Sequence, residues 1–423
     1  MFKSLIKHFS DTEKANNVAF KIIIIVFWTR IFSMFLSFLT NILVARSLTP
    51  DGYGSYKLVA SIALFLIPIF DFGVFTSIGY LLANTKDKLY SRKLIGTGSL
   101  LGFIFGVFFF VSFIAVSYHY LGLRIHGISK LDILFLGVFT IAMPLQSLIP
   151  QISKGSKPYT ISVFNVSYSA FFFVTVLLLM SLSQLSVRTV LFSFFVSNFI
   201  AAIISIGINY PIFKDLQILA KEVFTTTKRY GIRMYIGQIT ANLMLKVDVL
   251  VLAMFRDTRE VGIYGAAMLF LLPIVALSQA IGIVSFRYLA HDPLQLRKFE
   301  ILNYMWLGMA IIGLMVLARP IIFLLFGAKY SDVFRLMPFV ATAAFFQGGY
   351  QVKASFLASR GYSKETMLAS ILMMIVELLT IFIFTKIWGA SGTLLSMALT
   401  YFTYWAAMQY FVRRIQKHEI RVY

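Results

Sequence analysis

Twelve long apolar runs follow one another along this 423-residue chain, with only short polar stretches between them. A helix that crosses the hydrocarbon core of a bilayer needs about 20 mostly apolar residues. The runs lie at residues 18–45, 55–83, 94–117, 131–151, 159–182, 189–210, 231–254, 262–288, 301–326, 334–358, 366–386 and 391–412. The sequence therefore predicts an all-α polytopic membrane protein with twelve transmembrane helices.

The composition supports this class and excludes several others. Hydrophobic residues make up 59% of the chain and charged residues 13%, whereas soluble domains carry about 25% charged residues. The absence of cysteine excludes disulfides, thiolate metal sites and cysteine nucleophiles, and no metal site is expected. The net charge of +21 is spread over short loops rather than gathered on one face, so we expect no nucleic-acid partner.

The distribution of lysine and arginine predicts the orientation in the membrane. Loops on the side of the N-terminus hold more than twice as many of these residues as the opposite loops. The positive-inside rule then places both termini in the cytoplasm. No small-residue cleavage site follows the first apolar run, so we expect a retained first helix and not a signal peptide.

The chain divides into two similar halves around its longest polar connection, residues 211–230, which reads as an amphipathic cytoplasmic helix. At an offset of 208 residues, Gly54 and Tyr56 fall on Gly262 and Tyr264. Two like halves with a site at their interface are typical of secondary transporters. We predict a six-helix bundle at 1–210, the connector at 211–230, a second bundle at 231–412 and a cytoplasmic tail at 413–423.

Charged side chains inside a bilayer are costly, so they usually face a partner or a wet cavity and indicate function. Ten of them lie within or at the edges of the predicted spans: Lys21, Arg30, Lys57, Asp71, Lys246, Asp248, Arg287, Arg335, Lys353 and Glu377. Most are basic. A helical bundle with a cationic interior suits a large anionic or lipid-phosphate cargo.

Arg30 and Asp71 lie at comparable depths in the first and second spans, so an ion pair between them is expected. Such a pair either pins two neighbouring helices or serves transport. In the second interpretation Arg30 binds the phosphate of an anionic cargo, because its planar guanidinium can hold two oxygens at once. Asp71 then tunes Arg30 or carries a coupling proton.

Three further charges lie deep in the second half. Lys246 and Asp248 are two residues apart on the seventh span, so they face different directions. Glu377 is the only charge near the middle of the eleventh span. An isolated buried carboxylate can bind a proton or Na⁺ during transport, although it can equally be a protonated side chain bonded to a neighbouring helix.

The remaining basic residues lie near the ends of spans, where long side chains reach the membrane surface. Lys21, Arg287 and Lys353 are expected around the cytoplasmic mouth, where an anionic head group enters. We take as candidate cargo-binding residues Arg30, Lys246, Lys57, Arg287 and Lys353. The candidate ion-coupling residues are Asp71, Asp248 and Glu377.

Several segments resemble the polysaccharide (O-antigen repeat-unit) flippase family of the multidrug/oligosaccharidyl-lipid/polysaccharide (MOP) exporter superfamily. The segments run in order through nearly the whole chain: Ala45–Ala83 with ARSLTPDGYGSY and FDFGVFTSIGYLLA, Lys246–Phe270, Leu324–Phe339, Leu357–Gly361 and Trp388–Thr400. The resemblance implies two six-helix bundles around a central cavity that opens alternately to either side. It also implies a polyprenyl-pyrophosphate-linked oligosaccharide as cargo, flipped to the outer leaflet of the bacterial cytoplasmic (inner) membrane for surface polysaccharide, with polysaccharide polymerase machinery as a partner.

Other functions compete with this hypothesis. A multidrug or small-molecule antiporter of the same fold favours an acidic cavity for organic cations, which the mainly basic interior charges argue against. A membrane glycosyltransferase or polymerase needs a long extramembrane loop or a paired carboxylate site, and neither is visible. A structural scaffold would leave the buried charges unexplained. Because no GxxxxGK[ST] motif occurs, we expect no cofactor, and an H⁺ or Na⁺ gradient as the driving force.

Overall fold

The computed structural model describes residues 2–121 and 127–420, with the backbone alone for residues 2–24, 120–121, 233, 236–246, 287, 291, 293 and 417–420. Within these ranges the chain forms helices and no β-strand. The helices are α1 (Phe2–Ser47), α2 (Pro50–Ile69), α3 (Val74–Ala83), α4 (Lys88–Leu121), α5 (Lys130–Gly137), α6 (Leu145–Gly155), α7 (Thr160–Ser181), α8 (Val187–Gly207), α9 (Leu216–Thr226), α10 (Ile232–Phe255), α11 (Thr258–His291), α12 (Leu296–Phe326), α13 (Met337–Gly349), α14 (Gln351–Ser359) and α15 (Ser363–Ile420).

Nine helical segments in the described part of the chain are long and apolar enough to cross a membrane. Two predicted spans, 366–386 and 391–412, fall together in α15, and the predicted span 334–358 is divided between α13 and α14. The prediction of an all-α multi-pass membrane protein is confirmed. The number of twelve spans and the division at residues 211–230 stay predictions.

The helices form two compact units. The first consists of Met1–Leu43, Ile62–Leu123 and Ile128–Ile239, and the second of Val44–Ser61, Arg124–Gly127 and Thr240–Tyr423. The boundaries between the units therefore fall inside α1, inside α2 and inside α10, between Ile239 and Thr240. Each unit is built around its own apolar core.

The core of the first unit lies between α3, α4 and α6. It contains Phe75, Ile78, Ile95, Leu148 and Ile152, each almost fully buried. The connector helix α9 joins this core through Val223. Because lipid tails are as apolar as these side chains, close van der Waals packing fixes how α3, α4 and α6 associate.

In the second unit, a corresponding core lies between α11, α14 and α15, with Leu289, Val352, Phe356, Met408 and Val412 almost fully buried. Two of its helices, α14 and α15, carry Lys353 and Glu377. These two charged groups are thus held by packed apolar helices.

Two basic residues of the second unit fix the ends of helices that are far apart in sequence. Lys329 Nζ donates hydrogen bonds to the carbonyls of Arg46 and Leu48, at the end of α1. Arg46 in turn donates to the carbonyl of Leu324 near the end of α12, at 3.1 Å. Helix C-termini carry unsatisfied carbonyls and partial negative charge, so each cation stabilises the other helix's end.

A break interrupts the second predicted span in the first unit, where α2 ends at Ile69 and α3 begins at Val74. Gly73 adopts φ 74°, and a Cβ placed on it would lie 2.5 Å from the Gly231 carbonyl oxygen. Gly231 ends a π-helical turn, Thr227–Gly231, just before α10. Only glycine allows this approach, so the two backbones hold the break in place.

Candidate functional site

Two carboxylates of the second unit are buried among apolar helices. Asp248 on α10 is 9% exposed and Glu377 on α15 is 8% exposed. The hydroxyl of Tyr264, on α11, donates a hydrogen bond to Asp248 Oδ2. Asp248 and Glu377 lie close enough for their charges to interact, and Tyr401 interacts with both. We call these four residues the acidic cluster.

The acidic cluster has the chemistry of a cation site. Two ionised carboxylates inside a span repel each other, because a low-dielectric interior screens charge weakly. A bound proton or a small cation such as Na⁺ removes that repulsion. Oxygen ligands from carboxylates and phenols suit either ion, and the use of the cluster in ion coupling stays a prediction.

The geometry of the cluster depends on how α15 folds back at Gly389. This residue has φ 58° and ψ −134° and separates two antiparallel limbs of the helix. Thr380 and Ser396 share a hydrogen bond between the limbs at 2.6 Å, and Thr385 and Thr393 share another at 3.0 Å. The limbs carry Glu377 and Tyr401 respectively, so the turn brings the two residues to the same cluster.

The first turn of α11 holds the Gly389 turn. Glu260 Oε2 accepts a hydrogen bond from the Ala390 N–H at 3.0 Å. Arg256 donates to the carbonyls of Lys386 and Ile387, at 3.1 Å and 3.2 Å. These contacts satisfy backbone groups that the broken helix leaves unpaired.

Asp71 lies at the break between α2 and α3 in the first unit, with 6% exposure. Its Oδ1 accepts a hydrogen bond from the Phe75 N–H at 3.2 Å, so the carboxylate caps the start of α3. The Tyr235 hydroxyl donates to the Ile69 carbonyl at 2.9 Å on the other side of the break. Discontinuous helices of this kind are where transporters bind ions and substrates.

The predicted ion pair between Arg30 and Asp71 is absent from the described part of the chain. Arg30 is exposed on α1, and no hydrogen bond or ion pair engages it among the described side chains. Asp71 is satisfied by the backbone of α3 instead. The physical reason is that equal depth along two helices does not determine the direction in which each side chain points.

Lys353 is fully buried at the start of α14, whereas its position near the end of a span suggested a side chain that extends toward the membrane surface. Its Nζ lies 2.9 Å from Glu300 Oε1 and donates to the Tyr304 hydroxyl at 2.7 Å. The Tyr304 and Trp405 rings lie 4.9 Å and 5.7 Å from the ammonium. This charge is neutralised inside the second unit, so a role in binding cargo stays a prediction that requires the pair to open.

The other predicted cations differ in what surrounds them. Lys57 lies over the rings of Tyr53 and Tyr56, with Nζ 5.2 Å and 5.6 Å from their centroids. Arg335 is exposed. The side chains of Lys21, Lys246 and Arg287 lie outside the described residues.

Sequence reasoning missed three residues that organise these groups. Tyr264 binds Asp248 and was signalled only by its match to Tyr56 in the repeat. Glu300 neutralises Lys353 and precedes the predicted span 301–326 by one residue, so it was counted as loop. Glu260 holds the Gly389 turn from a predicted loop, and nothing in its local sequence links it to residue 390.

Comparison with known proteins identifies the family of this fold. Residues 20–291 match the model of a family described as Polysaccharide biosynthesis protein. No curated protein sequence is significantly similar to the chain.

Solved structures share the architecture along most of the chain. One is the lipid II flippase MurJ in an inward closed conformation, with a TM-score of 0.67, 14% identity, and 92% of this chain and 87% of that chain covered. Another is an inward-facing multidrug resistance MATE family transporter of the MOP superfamily, with a TM-score of 0.66, 13% identity, and 90% and 94% coverage. A third is a MOP superfamily transporter from Pyrococcus furiosus, with a TM-score of 0.59, 12% identity, and 93% coverage of each chain. At these identities the likeness establishes the fold.

Proposed function

Because the chain belongs to the polysaccharide biosynthesis protein family, within the flippases of the MOP superfamily, we propose that it carries a polyprenyl-pyrophosphate-linked oligosaccharide across the membrane. The cargo moves from the cytoplasmic to the outer leaflet by alternating access, for O-antigen or capsule assembly. The observation that carries the proposal is the family match, which extends over the spans that hold Arg30, Asp71 and Asp248. The likeness to a lipid II flippase supports a lipid-linked cargo.

Exposed cations inside the spans provide the attraction for the pyrophosphate. Arg30 is exposed and has no protein partner in the described part of the chain. A guanidinium binds two phosphate oxygens at once through a planar fork. We assign Arg30 the leading role in cargo binding, with Lys246, Lys57 and Arg287 as further contacts and Lys353 available only if its bond to Glu300 opens.

The acidic cluster provides the coupling ion site. Asp248 and Glu377 bind one cation, H⁺ or Na⁺, whose uptake and release accompany the change of access. Asp71 serves as a second acidic group at the α2–α3 break. No nucleotide is needed, since the ion gradient drives the cycle.

The cellular setting is proposed from the predicted orientation in the membrane and from the proposed cargo. The protein resides in the bacterial cytoplasmic membrane with both termini in the cytoplasm. It delivers its cargo to polysaccharide polymerase machinery on the other side.

Transport in proteoliposomes tests the proposal. A polyprenyl diphosphate bearing a fluorescent oligosaccharide is placed in both leaflets, and the fraction protected from an external quencher is followed after quenching. We expect the protein to abolish the protected fraction. Arg30→Gln should slow this by roughly tenfold, because a hydrogen bond to a charged group contributes about 1.5–3 kcal/mol. Arg335→Gln, which removes another exposed arginine, is the matched control and should leave the rate unchanged.

Complementation adds a cellular readout for alanine variants of the assigned cargo residues, which are also assayed in the vesicles. Cells lacking a repeat-unit flippase receive the parent, Arg30→Ala or Lys246→Ala, and surface glycan is scored together with protein level. Loss of glycan in well-expressed variants supports the cationic path. Full activity of both variants in cells and in vesicles would contradict the assigned cargo residues while leaving the flippase intact.

The multidrug antiporter is the second candidate, because a multidrug resistance transporter matches the fold as well as the lipid II flippase does. Its cargo, an organic cation, would be drawn to the acidic cluster rather than to Arg30. Accumulation of a fluorescent organic cation in the same vesicles, without movement of the lipid-linked oligosaccharide, would favour this function.

A further inference from the structure

The connector is bound tightly to the first unit. The Ile212 N–H donates to the Arg92 carbonyl at 3.0 Å, and Lys93 Nζ lies 2.6 Å from Asp215 Oδ2. In α9, Leu219 and Val223 are buried. The connector is therefore a fixed surface element and not a loose tether.

The other side of the same segment is apolar and uncovered. Ile218 is 71% exposed, Tyr210 68% and Phe213 57%. Large apolar and aromatic residues on a segment that links the ends of membrane spans are typical of elements lying in the interfacial layer of a bilayer. This side is consequently suited to contact lipid at the head-group level.

Two cations converge on the exposed Tyr210. The Arg92 guanidinium lies 5.9 Å and Lys157 Nζ 5.7 Å from the centroid of its ring. Arg92 Nε also donates to the Tyr210 carbonyl at 2.7 Å, and Lys157 Nζ donates to the Ile208 carbonyl at 3.3 Å. These bonds anchor the two side chains from α4 and from the α6–α7 loop beside the end of α8.

No carboxylate balances these two charges. Within the described part of the chain, neither Arg92 nor Lys157 forms an ion pair, whereas the neighbouring Lys93 is paired with Asp215. No hydrogen bond from the terminal nitrogens of Arg92 occurs there either. Two converging cations attract an anion, and the terminal guanidinium nitrogens of Arg92 retain the geometry that binds phosphate oxygens.

We propose that Arg92, Lys157 and Tyr210 bind the phosphate of an anionic glycerophospholipid from the leaflet that the connector contacts. Phe213 and Ile218 pack against its acyl chains. A phospholipid fits better than free phosphate because the cationic group borders an exposed apolar surface. The site is separate from the acidic cluster and from Arg30, and it does not depend on the proposed cargo.

Lipid retention by the full-length protein tests this site. The protein is reconstituted in nanodiscs of equal phosphatidylglycerol and phosphatidylcholine, extracted mildly, and its bound lipids are counted by native mass spectrometry. We expect a preference for phosphatidylglycerol in the parent. The double variant Arg92→Gln/Lys157→Gln should reduce that preference by roughly thirtyfold, since each of the two cations near an anionic surface contributes about 1 kcal/mol.

The matched control is Lys154→Gln/Lys298→Gln, which removes the same total charge from two exposed lysines and should keep the preference. Arg92→Lys retains the charge and should keep most of it, even if the double variant unfolds. Thermal unfolding in phosphatidylcholine alone verifies that each variant is folded. Equal retention of both lipids by the parent would overturn the proposal, as would an unchanged preference in the folded double variant. It would also be overturned if added inorganic phosphate displaced the bound phosphatidylglycerol, or if added polyprenyl diphosphate were retained in its place.

Discussion

Gly54 and Gly262 pack against each other's helices in a reciprocal contact. A Cβ on Gly54 would lie 1.7 Å from the Thr258 carbonyl oxygen, and a Cβ on Gly262 would lie 1.9 Å from that of Pro50. Thr258 follows Pro50 by the same offset that separates Gly262 from Gly54. The contacting residues therefore occupy equivalent positions of the internal repeat, and both segments belong to the second unit.

This contact predicts a strong effect of a single methyl group. Gly54→Ala should lower the free energy of unfolding by about 1–3 kcal/mol or more, because overpacking forces backbones apart. Thermal unfolding of the purified protein in detergent measures the change. Gly308→Ala is the control, since a Cβ there meets nothing within 4 Å and alanine favours the helix. Equal stability of the two variants would contradict the close contact.

Glu260 should stabilise the Gly389 turn from a distance in sequence. In Glu260→Gln the Ala390 N–H loses a charged acceptor, and the free energy of unfolding should fall by about 1–2 kcal/mol. Glu365→Gln, at the other end of the same limb of α15, provides the control. A drop of the same size in both variants would indicate a general effect of charge and not a specific bond.

Lys353 and Glu300 should behave as a coupled pair. Lys353→Met leaves the Glu300 carboxylate without its cation, so we expect a loss of about 3 kcal/mol in unfolding free energy. The double variant Lys353→Met/Glu300→Gln should recover most of that loss. A double-mutant cycle from chemical unfolding measures the coupling. If Lys353 served cargo binding alone, the single variant would instead lose transport at unchanged stability.

The acidic cluster should govern the ion dependence of transport. Glu377→Gln removes one of the two charges, so the stimulation of flipping by an imposed H⁺ or Na⁺ gradient should disappear while slow ungated flipping persists. Tyr264→Phe keeps both charges but removes the hydrogen bond to Asp248, and should shift the ion concentration that gives half-maximal stimulation. Tyr362→Phe is the control. If an ion gradient stimulates flipping in Glu377→Gln as it does in the parent, the acidic cluster does not couple ions to transport.

The attachment of the connector to the first unit should weaken at low pH. The hydrogen bond and charge of Lys93, with Lys214 nearby, lower the pKa of Asp215 below its ordinary value of 3.8. Stabilisation by this carboxylate is thus complete above the ordinary pKa and is lost as pH falls through the lower folded-state pKa. Amide hydrogen exchange in α9, compared with Lys93→Gln at each pH, should show excess protection in the parent near neutrality that disappears only well below pH 4. Lys221→Gln should follow the parent.

The sequence predicted the helices well because span length and apolar content are one-dimensional properties. The predicted spans 94–117 and 301–326 each lie within one helix, α4 and α12, and the matching positions of Gly54 and Gly262 could be read from spacing. The interruption at Asp71 could not, because it depends on the contact between Gly73 and Gly231, which lie in different predicted spans.

The site was harder to predict, since its residues pair between helices. The depth of Asp248 and Glu377 was evident, but their meeting requires the turn at Gly389. Arg30 and Asp71 had matching depths and still do not pair. Lys353 looked like an interfacial lysine because its partner, Glu300, belongs to another helix.

The hydrogen bonds that Arg46 and Lys329 donate to carbonyls at the ends of two helices have a consequence for producing the halves of this protein separately. The segment Val44–Ser61 folds as part of the second unit, although most of its neighbours in sequence belong to the first. A gene fragment that begins at residue 231 would encode α10 to α15 without the segment Val44–Ser61. That segment supplies the Arg46 and Leu48 carbonyls that bind Lys329, and the Gly54 that packs against Thr258. The two halves of the sequence are therefore unsuited to separate production, and would be expected to assemble only when translated together.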